Sequence, residues 1–179
     1  MLLEDECHLL WGDVCGKVWG QRNTAITVPM TNARTRQTYY GALNLLTHEF
    51  HLQEGTAGDG ANTVEYIEWC QRLYPNKKLL LLWDGASYHR GAAMQEFLAH
   101  ENVGVPAEDW KVTCLLFAPN APEQNPTEDV WLKGKTHLRK NFAMNKTFAQ
   151  VKRCFLEFFS GKTFASVKFS WYWPCPQMS

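Results

Sequence analysis

The sequence lacks the features of a membrane or exported protein. No run of apolar residues approaches the roughly 20 that a membrane-spanning helix needs, although hydrophobic residues make up 45% of the 179 residues. The first residues include three acids, Glu4, Asp5 and Glu6, where a signal peptide would carry basic residues before a long apolar run. The sequence therefore predicts a cytoplasmic protein of one main domain, without a membrane partner.

Several binding motifs are also absent. None of the six cysteines belongs to a C-x-x-C pair, which argues against a zinc ribbon or a redox pair. The glycine-rich segment 55–60 matches neither the P-loop nor the dinucleotide-binding pattern, so we assign it no phosphate role. The formal net charge is zero, which argues against a protein that holds nucleic acid by bulk charge alone.

The strongest structural signal is the run at residues 79–83, which consists of four leucines and a tryptophan. Such a run is typical of a strand that is buried on both faces, as in an α/β fold. Asp84 follows directly, and ligands in these folds gather at the carboxyl ends of the strands. Taken alone, this stretch favours Asp84 as the N-cap of a following helix, because Asp is a preferred capping residue; the rest of the chain reverses this preference.

Apolar periodicity and turn residues predict the order of the elements. Strands are predicted over residues 1–11, 17–19, 38–46, 49–53, 78–84 and 111–117. Helices are predicted over residues 63–73, 91–100, 127–141 and 148–159, with Asn62 and Asn125 as caps of the first and third. Antiparallel strands come first, and parallel strands joined by helices follow, which predicts a ribonuclease H-like mixed sheet flanked by helices. We place this domain over residues 1–161, followed by an aromatic C-terminal tail over residues 162–179.

Three carboxylates fall at informative positions in this fold. Asp5 lies in the first strand, Asp84 ends the central strand, and Glu128 lies in the first turn of a later helix. The strands of Asp5 and Asp84 are neighbours in such a sheet, so their side chains can converge. Phosphoryl transfer with two divalent ions needs a carboxylate cluster of this kind. The alternative is a set of ordinary caps and solvated acids, because 18 acidic residues offer many chance triples.

The residues around the three acids form recognisable motifs. Residues 3–6 are Leu-Glu-Asp-Glu, residues 82–90 are Leu-Trp-Asp-Gly-Ala-Ser-Tyr-His-Arg, and residues 118–131 are Ala-Pro-Asn-Ala-Pro-Glu-Gln-Asn-Pro-Thr-Glu-Asp-Val-Trp. Together with segments 19–21 and 40–44, they resemble the catalytic domain of DDE transposases, specifically the mariner-like superfamily and its bacterial insertion-sequence 630 group. The resemblance covers residues 2–159. Three residues depart from the family pattern: Gly85 stands where Asn is frequent, Gln124 where Leu is usual, and Thr127 in place of an aliphatic residue.

The resemblance implies an enzyme that cleaves DNA and transfers strands by attack on a phosphodiester. It implies that Asp5, Asp84 and Glu128 are the catalytic acids and that they hold two divalent metal ions, Mg²⁺ or Mn²⁺. It also implies DNA partners, namely the transposon ends and the target, and a homodimer in the active complex. The family's N-terminal helix-turn-helix modules do not occur in this sequence, so we expect the catalytic half of a longer or split transposase. The alternative is an inactive remnant that binds DNA or regulates a full transposase.

Basic residues near the acids are candidates for DNA contacts. His89 and Arg90 follow the second acid, and they either touch DNA phosphate, hold Asp84 or form a surface pair. A helical period of about 100° per residue places Lys135 and Arg139 on the same face as Glu128. These two cations either meet the DNA backbone or simply favour the helix dipole near its C-terminal end.

Two further features have competing interpretations. We predict that Trp131 and Cys7 are buried in the core, because tryptophan is highly buried on average and an isolated cysteine usually behaves as a small hydrophobe. The tail residues Trp171, Tyr172 and Trp173 either stack on bases or form an exposed or partner-binding segment.

Overall fold

The computed structural model describes residues 1–11, 20–23, 35–118, 124–165 and 167. In this part of the chain the strands are β1 Leu2–Leu10, β2 Arg36–Asn44, β3 Phe50–Gly55, β4 Leu79–Trp83 and β5 Val112–Leu116. The helices are α1 Gly60–Leu73, α2 Ala92–Glu101, α3 Thr127–Lys140 and α4 Phe148–Phe159. The predicted helices are confirmed to within one turn at each end. The strand predicted over residues 17–19 lies outside the described residues.

The strands form one mixed sheet in the order β3-β2-β1-β4-β5. β1 runs antiparallel to β2, from Leu2 opposite Asn44 to Leu10 opposite Arg36. β2 pairs with β3 antiparallel, whereas β4 runs parallel to both β1 and β5. This arrangement confirms the ribonuclease H-like sheet predicted from the sequence, and it places β1 and β4 side by side near the middle of the sheet.

A hydrophobic core lies on each face of the sheet. One core contains residues of α3 and α4 together with Leu3, Cys7 and Leu9 of β1. The other contains residues of α1 and α2 together with Leu2 of β1 and Leu81 of β4. Successive side chains of a strand point to opposite faces, so the central strand β1 supplies both cores. The leucine run of β4 is buried for the same reason.

Two predicted helix caps differ in detail from the structure. The N-cap of α1 is Asp59, whose carboxylate accepts the backbone N–H of Asn62 at 2.9 Å. Asn62 lies inside the helix, and its side-chain oxygen accepts the backbone N–H of Thr56 at 3.0 Å instead. In α3 the cap position is Pro126, and the Asn125 side chain accepts the backbone N–H of Thr127 at 3.1 Å. Asn125 therefore accepts a backbone N–H of the first turn as a cap would, but it lies one residue before the cap position.

The chain continues past α4 onto the core. Phe164 and Val167 are buried, and both belong to the core on the α3 and α4 face. The division at residue 161 stays a prediction, because most of the residues beyond it lie outside the described part of the chain. No helix among the described residues is long and apolar enough to cross a membrane.

Candidate active site

Asp5 lies in the middle of β1, on the face that is covered by α3. The indole N–H of Trp131, from the first half of α3, donates to Asp5 Oδ2 at 3.1 Å. Burial raises the pKa of the Asp5 carboxyl well above its usual range, and the nearby carboxylates of Glu128, Glu6 and Asp84 raise it further. Asp5 is therefore an oriented, poorly solvated carboxyl among other negative groups, an arrangement that a cation would stabilise.

Asp84 directly follows β4 and is level with Asp5. The parallel register pairs Leu2 with Leu81 and Leu3 with Leu82, and two more residues along both strands bring Asp5 beside Asp84. The Asp84 side chain is 60% exposed, and its Oδ1 accepts the backbone N–H of Ala86 at 2.8 Å. It is not a helix N-cap, because the short 3-10 helix Ser87–Arg90 has Ala86 in the cap position and α2 has Gly91.

Glu128 lies in the first turn of α3 and is exposed to solvent. The start of this helix is tied to β1, because the buried hydroxyl of Thr127 donates to the backbone carbonyl of Leu3 at 2.9 Å. This hydrogen bond holds the start of α3, and with it Glu128, near Asp5. The Glu128 charge accordingly contributes to the raised pKa of Asp5. The family departure at Thr127 thus has a structural use that an aliphatic side chain would not provide.

The three predicted acids converge without forming a tight cluster. Among the described residues, the only group of three whose ligand atoms all lie within 4.8 Å of one another is Glu4, Glu6 and His89, not the predicted acids. Carboxylates that hold two ions need not all approach one another, since each ion has its own ligands. The donor set also fits hard divalent cations, which prefer carboxylate oxygens and leave positions for water and phosphate.

A glycine on β2, which has no side chain, leaves the space that Trp131 needs to reach Asp5. Gly41 pairs with Asp5 across the sheet, and a Cβ at Gly41 would lie 2.4 Å from the Phe50 ring and 2.5 Å from Trp131. Trp131 packs edge-on to Phe50 and is 2% exposed. The prediction that Trp131 belongs to the core is confirmed, but its hydrogen bond to the first acid was not predicted.

His89 is buried beneath Asp84 and does not lie on the surface. Its Nδ1 lies 3.1 Å from the backbone oxygen of Asp84 and 3.3 Å from Asp84 Oδ1. The ring stacks on Trp83, with centroids 4.3 Å apart and an angle of 9° between the planes. Of the roles that the sequence left open, this placement favours holding Asp84 over contact with DNA phosphate.

The other three basic candidates differ in exposure and in their contacts. Arg90 is exposed, and its guanidinium donates to the backbone oxygen of Gly85 at 3.2 Å. Lys135 is half-buried and interacts with the Cys7 thiol, while Arg139 is exposed near the end of α3. The buried face of α3 is made by Thr127, Val130, Trp131, Gly134 and Leu138. This confirms the predicted orientation of α3.

Two further predictions concern single residues near the site. Cys7 is 2% exposed, and burial raises the pKa of its thiol to about 11. This confirms the prediction of a buried small hydrophobe. A Cβ added at Gly85 would have no neighbouring atom within 4 Å, and Gly85 does not adopt a positive φ. Another residue would therefore fit the same backbone, so this turn does not depend on glycine.

The chain belongs to the DDE superfamily endonuclease family, whose sequence profile matches residues 1–151. No curated protein sequence matches the chain.

Solved structures share its fold. A chain of the simian T-cell lymphotropic virus intasome in complex with PP2A regulatory subunit B56 gamma has a TM-score of 0.61 at 8% identity, covering 91% of this chain and 49% of that chain. A chain of the Mos1 strand transfer complex has a TM-score of 0.55 at 16% identity, and the match covers 97% of this chain and 49% of that chain. The catalytic core domain of BIV integrase has a TM-score of 0.50 at 11% identity, and the match covers 92% of this chain and 87% of that chain. At these identities the likeness shows the fold alone, and this chain spans about half the length of the intasome and Mos1 chains.

Proposed function

We propose that this chain is the catalytic domain of a DNA transposase of the mariner-like superfamily, in the bacterial insertion-sequence 630 group. It would cleave DNA and transfer strands by attack on a phosphodiester. The observation that supports the proposal is the parallel register of β1 and β4, which places Asp5 beside Asp84. The hydrogen bond from Thr127 to Leu3 places Glu128 near them, in a chain of the DDE endonuclease family. These three acids come from β1, the end of β4 and the start of α3, and they meet at the carboxyl end of β4.

In this proposal, Asp5, Asp84 and Glu128 hold two divalent ions, Mg²⁺ or Mn²⁺. Two such ions, when bound, activate the attacking hydroxyl and stabilise the leaving oxygen of an in-line displacement. The protein's own part is to orient the ligands. The Trp131 N–H holds one oxygen of Asp5, and the backbone N–H of Ala86 holds one oxygen of Asp84. Outer hydrogen bonds of this kind set the direction of ligating carboxylates.

DNA contacts are assigned to Arg90, Lys135 and Arg139. Arg90 lies beside Gly85, next to the second acid, and the two α3 residues lie two and three turns beyond Glu128. Phosphate contacts position DNA but carry little sequence information. Recognition of transposon ends therefore falls to a separate helix-turn-helix part, and the active complex is a homodimer. The half-length match to the Mos1 chain is compatible with such a division.

A plasmid-nicking assay with Mg²⁺ or Mn²⁺ tests the proposal. Wild type should nick supercoiled DNA, and Asp84→Asn should reduce nicking to the background level while remaining folded. The matched control is Asp109→Asn, since Asp109 is an exposed acid that pairs with Lys78 at 2.8 Å and lies before β5, away from the site. Equal nicking by wild type and Asp84→Asn would contradict the assignment of the acids. Metal-dependent DNA binding without any nicking would favour the inactive remnant instead.

A further inference from the structure

A second cluster of ionisable side chains lies behind the candidate active site. Glu4 and Glu6 flank Asp5 in β1, so they face the opposite side of the sheet, toward α1 and α2. There they meet His89. Its Nε2 lies 3.3 Å from Glu6 Oε1 and 3.9 Å from Glu4 Oε2. All three ligand atoms lie within 4.8 Å of one another.

Glu4 is the unusual member of this cluster. Its side chain is fully buried, and neither carboxylate oxygen has a hydrogen-bond partner among the described residues. A buried carboxylate without a hydrogen-bond donor is unfavourable, because no protein group replaces the water it has lost. Glu6, by contrast, interacts with the Tyr88 hydroxyl as well as with His89. The cluster therefore contains two buried oxygens without a hydrogen-bond partner, one of which lies 3.9 Å from His89 Nε2.

His89 is oriented as a metal-ligating imidazole usually is. Both groups near its Nδ1 are acceptors, the backbone oxygen and the carboxylate of Asp84, so Nδ1 carries a proton. In the tautomer with hydrogen on Nδ1 alone, Nε2 has a lone pair directed at Glu4 and Glu6, as an ion would require, whereas a second proton on Nε2 would donate to Glu6. Metal-bound histidines typically donate their other ring N–H to a carboxylate or a carbonyl, which fixes the tautomer. Stacking on Trp83 holds the ring in this orientation.

We propose that Glu4, Glu6 and His89 form a second cation site, distinct from the site of Asp5, Asp84 and Glu128, that takes a divalent transition-metal ion such as Zn²⁺ or Mn²⁺. Bonds of about 2.0–2.2 Å place two ligands of one ion roughly 3–3.5 Å apart. The Glu6 and His89 atoms already have this separation, and Glu4 needs only a small shift. Two carboxylates and one imidazole neutralise a divalent ion, and the imidazole favours transition metals over Mg²⁺.

The site is tied to the candidate active site through one side chain. Asp84 contacts His89 Nδ1 from the outer side, so an ion on Nε2 would stabilise the orientation of His89 and, through it, of Asp84. The inferred role of the ion is structural. The rival occupant of the cluster is a proton, on Glu4 or on His89 Nε2, which would reduce the net buried charge without any metal.

Zinc titration of the full chain decides between the two occupants. The protein is stripped with a chelator and saturated with Mg²⁺ to fill carboxylate-only sites. Bound Zn²⁺ is then measured by calorimetry and elemental analysis. We expect one tight Zn²⁺ per wild-type chain, the same in an Asp5→Asn, Glu128→Gln double variant, and at least about 100-fold weaker binding in Glu4→Gln and in His89→Gln. The matched control is His100→Gln, because His100 is an exposed histidine that should not affect binding.

Thermal melting provides a second measurement that does not depend on enzymatic activity. Zn²⁺ should raise the melting temperature of wild type but not that of Glu4→Gln. Without metal, Glu4→Gln should be at least as stable as wild type, because it removes an unpaired buried charge.

Wild type that takes up no Zn²⁺ in excess Mg²⁺ would overturn the proposal and favour the proton. A Zn²⁺ affinity equal to that of wild type in both Glu4→Gln and His89→Gln would also overturn the proposal. Loss of nicking in the catalytic double variant, with zinc binding retained, separates this site from the proposed function.

Discussion

Replacing Trp131 with Phe removes the indole N–H that donates to Asp5 and keeps an aromatic ring in the core. A hydrogen bond to a charged acceptor contributes about 1.5–3 kcal/mol. The smaller ring also loses contacts with Phe50 and Phe155, which we estimate at about 1–2 kcal/mol. We therefore expect Trp131→Phe to lower the free energy of unfolding by about 2.5–5 kcal/mol.

A double-mutant cycle separates the hydrogen bond from the packing. Urea unfolding is measured for Trp131→Phe, Asp5→Ala and the combined variant in the presence of a chelator. The coupling free energy should be at least about 1 kcal/mol, because only the bond is shared by the two changes. The affinity for Mn²⁺ should fall about 10- to 100-fold in Trp131→Phe, as for other outer partners of metal ligands.

The control for this experiment is the same substitution at an exposed tryptophan. Trp110 is 40% exposed and lies just before β5, so Trp110→Phe should change the free energy of unfolding by no more than about 0.5 kcal/mol. Additive effects of Trp131→Phe and Asp5→Ala, within about 0.5 kcal/mol, would show that the bond does not support Asp5. An unchanged Mn²⁺ affinity would refute the view that Trp131 orients a metal ligand.

Three further predictions follow from single contacts. Gly85→Asn, which restores the frequent family residue, should leave the melting temperature unchanged or raise it by a few degrees, because the backbone has room for it and the unfolded chain loses freedom; a clear fall in a thermal melt would contradict this. Gly41→Ala should destabilise by more than about 2 kcal/mol, since the new methyl group would overlap Trp131, and a neutral result in urea unfolding would show that the ring can move. Burial raises the pKa of the Cys70 and Cys114 thiols to about 12. At about pH 8 both should therefore react with a disulfide reagent at least about a thousandfold more slowly than after unfolding, and rapid modification of the native protein would argue against their burial.

The elements that could be predicted from the sequence are those with a local signal. The leucine run of β4 is apolar throughout, and α4 begins at a capping Thr147 with Gln150 three residues later. The placement of Asp5 beside Asp84 followed from strand order, because the two strands that carry them are neighbours in a ribonuclease H-like sheet. Each of these inferences needed only a short stretch or a topological rule.

The features that could not be predicted depend on distances between separate elements. Asp59 and Asn62 are both good capping residues, and only the path of the preceding loop decides that α1 begins with Asp59. The bond from Trp131 to Asp5 requires α3 to approach the sheet at Gly41, which no local pattern specifies. The burial of His89 depends in the same way on how the turn after β4 folds back beneath Asp84.

The register of β1 constrains the number of residues in this strand as well as their identity. Asp5 faces one side of the sheet, while Glu4 and Glu6 face the other. The register with β2, from Leu2 opposite Asn44 onward, determines which side each carboxylate takes. Insertion or deletion of one residue ahead of Asp5 within this strand would exchange the two faces. A substitution removes one carboxylate, whereas a one-residue change in length would separate both groups of acids from their partners in a single step.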